Sequence, residues 1–326
     1  MRSAVSKLLE NPLQTKRDKV LNLVSPTYFR KRAAQHILSQ TKREELPVFN
    51  RQLEIPQYQG RNSTVASISN YLQARSHPAI IAAFVQGSIA TGEEIAYSDF
   101  DGIVLVNESR LENAYAVESL LEILEKTEAM MLQQDALQHH GWNILTESEL
   151  AAYPDSELPL VLLENSKVIY PVRKINLYYN LLVEQEDYRK TLLQLCSSLT
   201  SKAESNSPAR TFHHFKSWVS QILLLPAVYL QAKENKPVFK KESFNRLHEL
   251  PATAAGIIQQ YSKLRREWNQ QEATINAEMN FNRWSATGKL ADRLATPFPK
   301  RYKSWLSDAK KTEIKNLTSL LLQSLR

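Results

Sequence analysis

The chain of 326 residues holds a single cysteine, Cys196. One thiol closes no internal disulfide and builds no cysteine metal cluster, so a reducing, cytoplasmic compartment is expected. Long hydrophobic runs are missing as well. The first residues, MRSAVSKLLENPLQ, contain no apolar stretch of signal-peptide length. The most apolar helical stretch, Trp218 to Leu230, is shorter than the ~20 residues of a membrane span and carries Ser220, Gln221 and Pro226. It reads as a buried helix, and no membrane partner is expected. Internal repeats and low-complexity tracts are absent too.

Basic residues are nearly absent from the middle of the chain. Residues 81–165 hold only Arg110 and Lys126 against 16 acids, a balance of −14, within an overall charge of +7. Residues 1–60 carry +6 and residues 166–326 carry +13. Concentrated carboxylates suit divalent cations, and the flanking Lys and Arg suit polyphosphate or nucleic acid. Segregated solvated faces would give the same count.

What is present divides the chain in three. Residues 1–60 read as a basic helical extension broken at Pro12, Pro26, Pro47 and Pro56. Residues 61–172 read as α/β with a small mixed sheet. Asn62 or Ser63 caps a helix whose Val65, Ile68 and Leu72 share one face, and Pro78 ends it. Ile80 to Val85 and Phe100 to Val106 are short apolar runs of buried-strand type. Leu111 to Leu132 follows as a helix with Val117, Leu120, Leu121 and Leu124 as its core stripe, and Leu137 to Leu145 as a third, less clear strand. Residues 173–326 read as an all-α helical bundle. Its helices begin with Leu177, Leu181 and Leu182, continue behind a Ser207-Pro208 start toward Ala232 with a kink at Pro226, and recur near 242–250, 252–283 and 303–325.

The informative segment runs from Phe84 to Val106, FVQGSIATGEEIAYSDFDGIVLV. It predicts a strand, a Gly-Ser turn, a short helix, and a second strand opening on Asp-Phe-Asp. Gly87 lets backbone approach a bulky anion, and the free N–H groups and hydroxyl at Ser88 can bind it. Asp99 and Asp101, two apart on a strand, project from one face while Phe100 turns into the core. Paired carboxylates repel one another unless a cation lies between them, and magnesium fits because it completes its shell with phosphate oxygens and water. Turn glycine and solvated strand-end acids are the plainer alternative. Acids are depleted in strands, however, and these two lead straight into the buried run Gly-Ile-Val-Leu-Val.

At these residues the chain resembles the DNA polymerase β-like nucleotidyltransferase superfamily, whose signature is a strand-end Gly-Ser, a spacer of about this length, and two aspartates flanking one apolar residue. The context GSIATG and YSDFDG is similar to smaller bacterial members of the kanamycin nucleotidyltransferase type, which join a catalytic domain to a C-terminal helical bundle. The resemblance covers about twenty residues. It implies a nucleoside triphosphate as donor, two magnesium ions held by Asp99 and Asp101, and phosphates held at Gly87 and Ser88. The acceptor would be a hydroxyl on a small molecule, a protein or RNA.

The resemblance also implies a third carboxylate on a neighbouring strand. Asp135, read as opening the third strand, is preferred for metal and catalysis, and Glu147 at its far end is the alternative. If neither serves, the chain is a nucleotide-sensing or protein-binding module on the same scaffold. His139, on the Asp135 face of that strand, is a general base, a substrate contact or a structural histidine, and His213-His214 a polar helix face. Lys236, Lys240 and Lys241 form a basic loop that could neutralise the β- and γ-phosphates or simply be solvated. The stripe Trp218, Ile222, Leu225 and Tyr229 is helix-spaced core. Arg30-Lys31-Arg32 beside Tyr28 and Phe29 is a nucleic-acid contact or an exposed helix face.

Overall fold

The computed structural model describes residues 2–12, 15, 18, 25–41, 47–135, 137–138, 141–153, 155, 158–181, 187–205, 209, 211–268 and 298–325. The chain divides into two compact units, one carrying residues 1–183 and the other beginning at residue 184. The first is mixed α/β around a small sheet, and the described part of the second is helical.

In the first unit, α1 (Ala4–Glu10) and α2 (Pro26–Gln40) precede β1 (Arg51–Ile55). The helix α3 (Ser63–Arg75) follows, opened by Asn62, whose side chain accepts from the Val65 N–H. Next come β2 (Ile80–Val85), the single turn α4 (Gly87–Thr91), β3 (Gly102–Val106), and the long α5 (Ala114–Gln134). The unit closes with β4 (Asn143–Thr146), α6 (Glu147–Ala151), α7 (Leu160–Glu164), β5 (Lys167–Tyr170) and β6 (Ile175–Tyr179). The main sheet has strand order β4-β3-β2-β5, with β3 and β4 parallel and the other neighbours antiparallel.

Both faces of this sheet are covered, which is why its central strands are apolar at every position. On one face Ile80, Ala83, Val85, Val104 and Val106 join Ile37, Ile68, Leu72 and Leu120 from α2, α3 and α5. On the other face Ala82, Phe84, Ile103, Leu105 and Leu145 join Ile55, Leu163 and Leu177. The edge strand β4 is closed by charge rather than by another strand. The Glu10 carboxylate accepts from the Ile144 N–H at 2.7 Å, and the Arg2 guanidinium donates to the Ile144 carbonyl. Arg2 also pairs with Glu10 at 2.8 Å and with Glu149 at 2.9 Å. An ion pair thus takes up the bonds an extra strand would have made.

Residues 1–60 are therefore built into the first unit. Their α1 seals β4, Arg30 on α2 pairs with Glu125 on α5 at 3.1 Å, and β1 pairs with β6 over five residues. Two sequence expectations change here. Residues from Ile175 form β6 rather than the first bundle helix: Leu177 and Tyr179 alternate inward while Asn176 and Tyr178 face out. The third strand is also shorter than expected. The helix α5 continues to Gln134, and only Asn143–Thr146 pairs with β3.

The second unit contains α8 (Tyr188–Glu204), α9 (Phe212–Ile222), α10 (Leu225–Glu234), α11 (Lys240–Asn245), α12 (Ala252–Arg266) and α13 (Asp308–Gln323). Pro226 separates two helices instead of kinking one, because it sits in the first turn of α10, where its missing N–H is harmless. The expected Ser207-Pro208 start and the helix beyond Trp268 lie outside the described residues. Trp218, Ile222, Leu225 and Tyr229 are all buried core, as their spacing predicts. Phe212 stacks on Trp268 with ring centroids 4.6 Å apart and on Tyr302 at 5.3 Å. Among the described residues no helix is long and apolar enough to cross a membrane.

Candidate functional site

The antiparallel β2–β3 ladder does not stop at the strand ends. The Gln86 N–H donates to the Asp101 carbonyl at 2.9 Å, one step beyond the Val85–Gly102 pair. This bond holds the Gly-Ser turn against the aspartate motif. Gly87 has φ +65°, in the left-handed region, and a Cβ placed on it would lie 2.8 Å from Asp101 Oδ2. Backbone and carboxylate therefore touch at a position that only glycine fits. The turn α4 runs five residues and is closed by Gly92 at φ +68°, with the Glu93 N–H returning to the Ser88 carbonyl at 2.8 Å. Its first N–H groups have no intrahelical acceptor, and Gly87 and Ser88 are half-buried.

Asp99 and Asp101 stand just ahead of β3, which begins at Gly102, so their alternation is held by other means than a full ladder. Gln138 supplies it: its Oε1 accepts from the Phe100 N–H at 2.9 Å, and its Nε2 donates to the Phe100 carbonyl at 2.8 Å. The Phe100 ring is fully buried and meets Trp142 edge-on at 5.9 Å. The two aspartates on either side stay partly exposed. Gly102 completes the arrangement, because a Cβ there would lie 2.4 Å from the Trp142 ring.

Asp135 opens no strand. It caps the C-terminus of α5, is fully buried, and accepts from the Leu137 N–H at 3.0 Å through Oδ1. Among the described residues no three His, Cys, Asp or Glu side chains are grouped to hold a metal, so Asp135 does not join Asp99 and Asp101 in such a cluster. Glu147 begins α6 after Thr146, which pairs with Val106 at the end of β3 remote from Asp101. Burial raises its pKa above the ordinary carboxylate value, nearby Glu108 raises it further, and Arg110 opposes both. At the Asp101 end, β4 instead presents Asn143, paired with Ile103 and donating through Nδ2 to the Gly102 carbonyl at 3.3 Å. Alternation puts Asn143 on the face of Ile103 and Leu145, the face Asp101 shares. The neighbouring strand thus offers an amide where a carboxylate was expected.

His139 and its neighbour His140 lie outside the described residues. His213 and His214 sit on α9 with ring centroids 5.9 Å apart. Lys240 and Lys241 begin α11 in the second unit, and Lys236 is paired with Glu234 at 3.0 Å. In the basic cluster of α2, Arg30 pairs with Glu125 and Arg32 approaches Asp18 at 3.8 Å, while Phe29 is core. Burial pushes the Cys196 thiol up to about 11, which leaves it protonated and a poor nucleophile near neutrality. Sequence reasoning missed Gln86, Gln138 and Asn143. Uncharged amides carry no motif signal, and only their place beside the ladder reveals them.

No protein-family model matches the chain. No curated protein matches it either. Among solved structures it is similar to spectinomycin adenyltransferase AAD(9) from Enterococcus faecialis, solved with ATP and spectinomycin. The identity is 13%, over 71% of this chain and 98% of that one, with a TM-score of 0.34. A likeness of that size assigns neither family nor activity.

Proposed function

We propose that the chain is a metal-dependent nucleotidyltransferase that moves a nucleoside monophosphate from a nucleoside triphosphate to an acceptor hydroxyl. The single observation that carries this reading is the contact of Gly87 with the Asp101 carboxylate, which sets an anion-accepting turn against a cation-accepting acid pair. The donor set fits magnesium: hard carboxylate oxygens, partly exposed, beside backbone N–H groups that can take a phosphate. Bound there by Asp99 and Asp101, magnesium would neutralise charge on the phosphoryl oxygens. Gly87 and Ser88 hold the phosphates in place for an in-line displacement. The acceptor hydroxyl gives up its proton to solvent as its oxygen forms a bond to the α-phosphorus, the bond from that phosphorus to the bridging oxygen breaks, and pyrophosphate leaves with the electron pair. The acceptor hydroxyl belongs to a small molecule, a protein or RNA.

Purified protein incubated with labelled nucleoside triphosphates, magnesium and acceptor pools tests the proposal. Pyrophosphate release that disappears in Asp101→Asn supports it. No release with any nucleotide, together with no nucleotide binding, rejects it.

Asn143 favours a second reading. An amide takes no proton from an acceptor hydroxyl, and β4 offers no carboxylate at that end. A nucleotide-sensing module would bind triphosphate with magnesium and release no pyrophosphate. Binding without turnover in the same assay selects this reading over the first.

A further inference from the structure

Gln86 is explained neither by the Gly-Ser and Asp-x-Asp motif nor by the proposed reaction. It ends the apolar run Ile80–Val85 and stands at the N-cap of α4, yet its side chain makes no capping bond. It is 6% exposed, and its Oε1 is buried without a hydrogen-bond partner. A buried amide oxygen with no donor weakens a fold and is rare in native structures, so its presence calls for a cause. Leucine or methionine would fill the same space with no such cost.

Its position supplies the cause. The bond from the Gln86 N–H to the Asp101 carbonyl makes these two residues direct cross-strand partners. Directly opposed residues of an antiparallel pair project on one face, with Cβ atoms about 4.5–5.5 Å apart. The face agrees with the neighbours in sequence, since Phe84 and Ile103, each two residues away, lie together in one cluster. The Gln86 side chain, with its buried and unpartnered amide oxygen, therefore lies on the same face as the Asp101 side chain, in a site whose described acids form no three-acid metal cluster. Amide carbonyls are hard oxygen donors of the kind divalent cations of this class accept.

We propose that the Gln86 amide oxygen is a further ligand for the divalent cation of the Asp99–Asp101 site, so that two carboxylates and one amide do the work of three acids. The proposal rests on the nucleotidyltransferase reading only for the presence of that cation. Mn2+ binding to the full chain, followed by electron paramagnetic resonance with and without a non-hydrolysable ATP analogue, tests it. Gln86→Met is expected to weaken Mn2+ binding at least tenfold and, by removing the orphaned oxygen, to raise the Tm of the metal-free protein. Gln86→Glu is expected to bind Mn2+ at least as tightly as the wild type. If Gln86→Met binds Mn2+ like the wild type while Asp101→Asn does not, the Gln86 assignment is wrong and the acid-pair reading stands. If the wild type binds no Mn2+ under either condition, both fail together.

Discussion

Substituting alanine for Gly87 separates two effects that the site combines, and Gly92 provides the internal control. Both glycines have left-handed φ, +65° and +68°. A non-glycine residue in that region costs about 1–2 kcal/mol. At Gly92 an added Cβ meets nothing within 4 Å, so Gly92→Ala pays that strain alone. At Gly87 the added Cβ lies 2.8 Å from Asp101 Oδ2, closer than such contacts occur, and the carboxylate has to move. Overpacking of this kind adds about 1–3 kcal/mol. Together these give roughly 2–5 kcal/mol for Gly87→Ala, against about 1–2 kcal/mol for Gly92→Ala. For a unit of this size each kcal/mol lowers Tm by about 2–4 °C, so the two variants differ by several degrees. The larger difference is expected in ligand binding, because only Gly87→Ala displaces Asp101. Urea denaturation and calorimetric titration with Mg2+ and a non-hydrolysable ATP analogue measure both quantities. Equal loss of nucleotide affinity in the two variants would refute the claim that Gly87 acts through Asp101.

Arg2→Ala breaks a buried ion pair and leaves Glu149 unpartnered by its cation, with the two side chains 7% and 3% exposed. A loss of about 3–5 kcal/mol in urea unfolding is expected, and a loss below about 1 kcal/mol would mean that α1 does not seal β4. His77 is held neutral: the Ala79 N–H donates to its Nδ1 at 3.2 Å, and Nε2 faces the Ala116 carbonyl at 3.0 Å. Burial lowers its pKa below 6.5 and the Ala116 contact opposes this only in part, so the unfolded chain takes up the proton first as pH falls. His77 therefore contributes stability that is complete above pH 6.5 and is lost from there down to the depressed folded value. Wild-type Tm should fall across that window, and the part of the fall due to this group should vanish in His77→Gln. Asn143→Asp places a proton acceptor on β4, and faster pyrophosphate release, with Mg2+ and nucleotide bound at least as tightly as in the wild type, is the expected result. No gain would show that proton removal does not limit the reaction.

The stretch from Phe84 to Val106 was legible because its chemistry is local. Gly87 is needed at one backbone conformation, Phe100 alternates with two acids, and the strand behind them is buried on both sides. The cap at Asn62 and the stripe of α5 were readable for the same reason. Asp135 opens no strand although the run from Leu137 to Leu145 imitates one, because Gln138 is drawn to the Phe100 backbone and the Asp135 side chain caps the chain leaving α5. The run that begins at Ile175 fits both periods, as short apolar runs do, and pairing of Ile175–Tyr179 with β1 decided for the strand. The charge asymmetry had a partly structural meaning. Arg2 and Arg30 of the basic N-terminus reach Glu149 and Glu125 of the acidic middle, so part of the segregated charge is spent on holding the first unit together.

The same amides bear on the order of binding. Two carboxylates carry one negative charge less than three, and a neutral amide oxygen adds a ligand without restoring that charge. On the proposed reading such a site holds Mg2+ weakly by itself, since the ion gives up water reluctantly and keeps positions for phosphate oxygens. A triphosphate at Gly87 and Ser88 would supply those oxygens together with their charge. Cation and nucleotide then strengthen each other's binding, and linkage requires the factor to be the same in both directions. Calorimetry can measure each affinity at zero and at saturating concentration of the other ligand. Independent affinities would show that the turn and the acid pair, although in contact, do not form one site.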